Sequence, residues 1–192
     1  MYKNKLFVNN NSGDQMKKIL MLLVLIFLVG CNNSNTPVGE VEKFLSKYQN
    51  LDNEIIVGLN KELEDDTSLT EDQRTLYLDL WKKHYKNLKY SIKDSKIEDD
   101  RAIVTASIEV TDYTKSVNES DIYRENHMEE FQDEAGNYDI VKFNDFKISQ
   151  LMNVADTVKF EIDFQVIKTD GKWVLSELTN DDYLKLSGMY NY

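Results

Sequence analysis

Two stretches of strict two-residue alternation limit what this chain can fold into. In the first, Ala102, Val104, Ala106, Ile108 and Val110 share one face, and from Val104 onward they alternate with the polar residues Thr105, Ser107, Glu109 and Thr111. In the second, Val158, Phe160, Ile162, Phe164 and Val166 alternate with Lys159, Glu161, Asp163 and Gln165. Successive side chains of a strand point to opposite faces, so each stretch reads as a strand with one dry side and one wet side, as in an antiparallel sheet. Turn chemistry flanks both. Glu98-Asp99-Asp100-Arg101 joins the first strand to a shorter alternation at Tyr90 and Ile92, and Asp170-Gly171 joins the second to Trp173-Val174-Leu175. The chain therefore carries two hairpins.

Ahead of the hairpins the period changes from two to that of a helix. Thr36-Pro37 reads as an N-cap followed by proline in the first helical position. Val41, Phe44, Leu45, Tyr48 and Leu51 then recur at helical spacing, and Ile55, Leu59 and Leu63 either continue this helix or follow a bend. Thr70 and Gln73 form a capping box for the next helix, whose stripe is Leu76, Tyr77, Leu80, Trp81, His84 and Leu88. Lys82, Lys83 and Lys86 fall in its last turns, where cations suit the helix dipole. Between the hairpins lies a polar stretch, 118–153. In it Ile122, Tyr123, His127 and Phe131 suggest one amphipathic helix, Gly136-Asn137 an interruption, and Val141 to Met152 another helix. Asp181 to Met189 reads as a short terminal helix. This order predicts an α+β domain with helices on one face of an antiparallel sheet, over residues 37–192.

Residues 16–31, MKKILMLLVLIFLVGC, have a different character. Lys17 and Lys18 precede eleven uninterrupted apolar residues, Ile19 to Val29. Such a run is about half the length that spans a bilayer, so it fits a cleaved export signal, residues 16–30. Residues 1–15 are expected to be an upstream extension or a long N-terminal region. Gly13-Asp14-Gln15 back-translates to a ribosome-binding-like sequence just before Met16, which would make Met16 the start. Residues 31–36 are expected to form the anchored cysteine and a short polar tether.

Composition narrows the function classes. The formal net charge is −11, which argues against a nucleic-acid partner. Beyond residue 30 the chain carries 33 acidic and 19 basic side chains, a net of −14. An anionic lipid surface would repel such a domain, so the lipid does the tethering. A single cysteine excludes an internal disulfide and a cysteine-rich metal site.

Leu28-Val29-Gly30-Cys31 resembles the lipobox of bacterial lipoproteins. That resemblance implies diacylglyceryl transfer to the Cys31 thiol, cleavage just before it, and a domain held at the outer face of the cell membrane by acyl chains. The alternating strand 102–110, the hairpin at Asp170-Gly171-Lys172-Trp173 and the closing WVLSEL with its short helix are similar to small lipoproteins of low-GC Gram-positive bacteria. These belong to the cystatin-like and nuclear-transport-factor-2-like group. The resemblance implies N-terminal helices packed on a curved antiparallel sheet that forms a cone, with a helical insertion between the two hairpins. It also implies a cone that in some members encloses an apolar pocket or an Asp/His catalytic site.

The candidate sites follow from what is left. His84 would serve as a general base if it faced a cone interior beside a strand carboxylate such as Asp112; the plainer expectation is a boundary histidine with one hydrogen bond. His127 is expected at the surface or a helix interface. Asp133, Ala135, Asn137 and Asp139 alternate around Gly136 like the start of a calcium loop, but counting from Asp133 the sixth residue is Tyr138 and the twelfth Asn144, where glycine and glutamate are needed. No catalytic residue, metal ligand set or cofactor is therefore expected. Tyr113, Tyr123 and Tyr138 flank the insertion and are the candidates for binding, because tyrosine tolerates a half-wet recognition surface. Trp81 and Trp173 are expected to anchor helix to sheet. The expectation is a non-enzymatic, lipid-anchored binding or accessory module whose partner is an envelope protein or a small ligand. The alternatives are a carrier of a hydrophobic ligand and a hydrolase or isomerase using His84.

Overall fold

The computed structural model describes residues 35–190, all within one compact unit, Ser34–Tyr192. The expected export signal, Cys31 and the first residues of the expected tether lie outside the described residues.

Three helices come first: α1 (Pro37–Asn50), α2 (Asn53–Asp65) and α3 (Glu71–Lys86). Thr36 caps α1, its hydroxyl accepting from Gly39 N at 3.0 Å, with Pro37 in the first turn. The break between α1 and α2 is at Leu51, which adopts a left-handed φ of 54°. The two apolar stripes are thus separate helices related by a bend. The capping box of α3 forms as its spacing predicts. Gln73 N donates to Thr70 Oγ1 at 3.2 Å, and Thr70 N donates to Gln73 Oε1 at 3.1 Å.

Strands β1 (Lys89–Glu98) and β2 (Arg101–Thr111) form the first hairpin; β3 (Thr157–Thr169) and β4 (Lys172–Leu175) form the second. The sheet is fully antiparallel, with order β1-β2-β3-β4. Ala102, Val104, Ala106, Ile108 and Val110 are all buried, as are Ile162, Phe164 and Val166 opposite them. Asp170 and Gly171 both take positive φ, 51° and 76°, so the second hairpin closes on a two-residue turn of the hand that matches strand twist. A bulge between Ile92 and Asp94 bends the edge strand β1, whose outer half is exposed.

Helix α1 lies across all four strands. Its Val41 and Leu45 are fully buried and pack in one cluster with Val104, Ile108, Phe164 and Val166. The inner face of the sheet is therefore covered by α1, as the expected packing of N-terminal helices on an antiparallel sheet requires. Trp81 and Trp173 are half-buried against this cluster, joining helix and sheet as expected.

The insertion leaves β2 at Thr111 and returns at Thr157, its two ends tied by Asp112 N donating to Asp156 O at 2.9 Å. It holds α4 (Thr114–Asn126), a 3-10 turn (Met128–Phe131) and α5 (Ile140–Met152). It starts earlier than its polar composition suggests. The helix marked by Ile122 to Phe131 ends at Asn126, because His127 leaves helical geometry at φ −135°, ψ 43°. The last helix, α6 (Asn180–Ser187), packs against β2. Among the described residues no helix is long and apolar enough to cross a membrane.

Candidate functional site

His84 is the one buried histidine, and its environment decides whether it can do chemistry. It is 0% exposed, on the last turn of α3. Its Nε2 lies 2.9 Å from the carbonyl of Leu186 in α6. A carbonyl only accepts, so Nε2 carries the proton and Nδ1 is left as an acceptor, with no partner. Three rings surround the imidazole: Trp81 at 5.5 Å, Tyr85 at 5.0 Å and Tyr113 at 5.3 Å between centroids. Burial lowers the pKa to about 4, against a small upward effect of the Leu186 hydrogen bond. The residue is thus core, not boundary. Asp112 is engaged elsewhere, accepting from Tyr190 Oη at 3.0 Å and Thr114 N at 3.2 Å. The structure does not assemble the histidine–carboxylate pair that a general base would need.

His127 is half-buried at the end of α4, its ring stacked on Tyr123 at 4.0 Å and its Nδ1 3.0 Å from the Tyr123 carbonyl. The Asp133 loop is a turn closed on itself. Asp133 Oδ1 accepts from Ala135 N (2.9 Å) and Asn137 N (2.8 Å), and Oδ2 accepts from the Asn137 amide (3.2 Å). These bonds hold the Asp133 carboxyl below its ordinary pKa. Asp139 caps α5 through Val141 N and Lys142 N. The carboxylates of the calcium-like spacing thus serve the loop's own amides. Among the described residues no group of three or more His, Cys, Asp or Glu is arranged to hold a metal ion.

The three tyrosines are not brought together. Tyr113 is 2% exposed and packs with Leu80 and Leu151, so it is a core residue and not a contact residue. Its backbone N–H donates to Gly188 O at 2.9 Å, which draws the C-terminal segment over it. Tyr123 is half-buried, its ring stacked on Phe146 and its hydroxyl donating to Glu130 at 3.0 Å. That carboxylate raises the Tyr123 pKa. Tyr138 alone of the three is open, at 43% exposure. It has company that sequence spacing did not reveal: Ile122, Met128, Ile140 and Val141, all on the insertion, are also exposed. Large apolar side chains exposed along one inserted segment make that segment the candidate contact surface.

Two grooves lie elsewhere on the described residues. One, about 480 Å³, has an apolar wall of Leu80, Leu88, Leu151 and Val154, with Lys83, Lys86 and Lys89 among its lining residues and no carboxylate. Lys89 also pairs with Glu109 at 2.8 Å. The other, about 550 Å³, lies on the sheet near the hairpin turns, beside Ile103 and Ile167.

No family model and no curated protein matches the chain. Among solved structures, the crystal structure of a candidate lipoprotein, YcdA of Bacillus subtilis, aligns with it at a TM-score of 0.42 and 13% identity. The alignment covers 75% of this chain and 47% of that one, so this chain spans about half the length of its neighbour. A likeness this distant carries no argument about function.

Proposed function

We propose that the chain is a lipid-anchored, extracytoplasmic module without catalytic activity that binds a protein of the cell envelope through the insertion. The observation that carries the anchoring is the sequence 16–31: a positive start, an eleven-residue apolar run and Leu28-Val29-Gly30-Cys31. The cystatin-like and nuclear-transport-factor-2-like group is the family this reading favours. The non-catalytic part is supported by the state of the histidines, one sealed in the core and the other stacked and bonded within its own helix. The contact surface is supported by Tyr138, Ile140 and Val141, consecutive or nearly so and all exposed.

The test has two arms. Metabolic labelling with a fatty-acid analogue should tag the wild-type protein and leave Cys31→Ala untagged; equal labelling of both removes the anchor. A photo-crosslinking residue at position 138 should give a discrete adduct in intact membranes that one at position 94 does not, and Ile140→Lys should abolish it. Absence of any adduct from 138 sinks the contact reading.

A second reading, carriage of a small ligand, has one observation in its favour: the groove with Lys83, Lys86 and Lys89 over an aliphatic wall. It fits an amphipathic anion, not a neutral hydrocarbon. Titration of the purified protein with a fluorescent fatty acid, read against Lys83→Glu, separates this from protein contact.

A further inference from the structure

Both hairpin turns lie at one end of the sheet, where Lys168 N donates to Asp100 O at 2.8 Å. The chain joins the domain at this same end. Asn35 Oδ1 accepts from Trp173 N at 3.2 Å, and the Asn35 amide reaches Gly171 O at 3.5 Å. The tether therefore ends before Asn35, since Asn35 and Thr36 are already bonded into the fold. Only residues 32–34 separate Asn35 from Cys31. Even fully extended, those four steps reach about 14 Å. The insertion leaves from the opposite end of β2, roughly 33 Å away at the strand rise. A surface that holds Cys31 must therefore come within about 14 Å of the hairpin end, whereas nothing in the length of the tether brings it to the insertion.

The side chains at the hairpin end suit such a surface. Ile103, Ile167 and Val174 are on the outer face of the sheet and exposed by 47%, 43% and 48%. Ile167 sits directly opposite Val174, and Ile103 lies one diagonal step away on β2. Charge points the same way. The two hairpins carry Lys96, Arg101, Lys168 and Lys172 against Glu98, Asp99, Asp100 and Asp170 here, an even balance in a chain whose net beyond residue 30 is −14. An anionic bilayer that repels the rest of the domain does not repel this end. Its lysines and arginine can reach for phosphates while the aliphatic side chains sit at headgroup depth.

We infer that the hairpin end rests on the phospholipid bilayer, with Ile103, Ile167 and Val174 in the headgroup region, and holds the insertion away from the membrane. This rests on the acylation of Cys31 proposed above. The test uses the full acylated chain in vesicles of phosphatidylglycerol and phosphatidylethanolamine. An environment-sensitive fluorophore is attached in turn to Ile103→Cys, Val174→Cys, Lys172→Cys and Ile140→Cys. All four positions are exposed, so the substitutions leave the core intact. Probes at 103, 174 and 172 should be quenched by spin-labelled lipid and shielded from iodide. The probe at 140 should show the reverse.

Equal iodide quenching at all four positions overturns the inference. So does shielding at 103 and 174 that persists without vesicles in the Cys31→Ala chain, because another copy of the protein would then be covering the patch. Failure of the anchor is read separately. A wild-type chain that is not retained by membranes, or is retained equally without Cys31, defeats the acylation reading, whereas Cys31-dependent retention with wet probes defeats only the orientation.

Discussion

His84 shows how a single side chain can look catalytic in a sequence and prove structural. Its ring holds the end of α3 to α6 through one hydrogen bond, and its second nitrogen is an acceptor left dry. The groups that face it are aromatic, Trp81, Tyr85 and Tyr113, and none is a carboxylate that would steady an imidazolium. The folded state therefore prefers the neutral ring, with a pKa pushed down to about 4 from 6.5. Between those values the unfolded chain binds the proton and the folded one does not, so stability rises with pH. The contribution is complete above pH 6.5 and is lost as pH falls toward 4, a difference of about 3 kcal/mol. Chemical denaturation of wild type and His84→Gln at pH 7 and pH 4 checks this. The glutamine amide can still donate to Leu186 O but does not titrate, so the wild type should lose about 3 kcal/mol more than the variant. Equal losses would mean that water reaches the ring.

A neighbouring residue makes the same junction rigid. Gly188 ends α6 with φ 68°, and a Cβ there would run into the carbonyl oxygen of Thr111. Gly188→Ala meets both a left-handed backbone and a backbone clash that no rotamer relieves. It should cost at least about 2 kcal/mol, read as a lower urea midpoint with an unchanged slope.

At the scale of elements, what could be read from the sequence is what local spacing encodes. The strands of 102–110 and 158–166 were legible because burial on one face forces a period of two. The α3 start was legible because a capping box is a three-residue rule. What joins elements was not. Gln73 does more than cap: its amide nitrogen also donates to Val141 O at 2.9 Å and Asp145 Oδ1 at 2.7 Å on α5. No spacing rule reports a bond across 68 residues. The start of α4 was missed for a related reason, since its fully buried residues are Thr114 and Ser120, which leave no apolar period to read. Tyr113 and His84 were placed near the surface because the helix that seals them, α6, is about a hundred residues downstream of α3.

The double role of Gln73 can be separated. Thr70→Ala removes only the cap and should cost about 1 kcal/mol. Gln73→Glu keeps an acceptor for Thr70 N but turns a buried donor into a carboxylate facing a carbonyl and Asp145. It should cost about 2 to 3 kcal/mol, and hydrogen exchange should show α5 amides losing protection while those of α1 keep theirs. Equal costs for the two variants would reduce Gln73 to a capping residue.

The described domain is polar in the geometric sense: Asn35 and a charge-balanced hairpin end on one side, the insertion with its exposed apolar residues on the other. Of the net charge of −14 beyond residue 30, half falls on residues 112–156, which carry 11 acidic and 4 basic side chains. Two electrostatic effects of opposite sign act on the domain. Surface ion pairs favour the folded state, the tightest being Lys47–Glu54 and Lys185–Asp181 at 2.6 Å. Their lysines or carboxylates are exposed, so each contributes little. Against them stands the mutual repulsion of an excess of carboxylates spread over the whole surface, which compaction makes worse. Both are screened by salt, whose screening length falls from about 10 Å at 0.1 M to about 3 Å at 1 M. Short pairs survive that change better than long-range repulsion does, so repulsion is the term that salt removes. Sodium chloride raised from 0.05 M to 0.5 M should therefore stabilise the unacylated mature chain at neutral pH. The expected rise in Tm is about 2 to 4 °C, what about 1 kcal/mol gives at this size. A Tm that falls with chloride would show that the ion pairs outweigh the repulsion, and it would withdraw the charge argument for which end of the domain meets the bilayer.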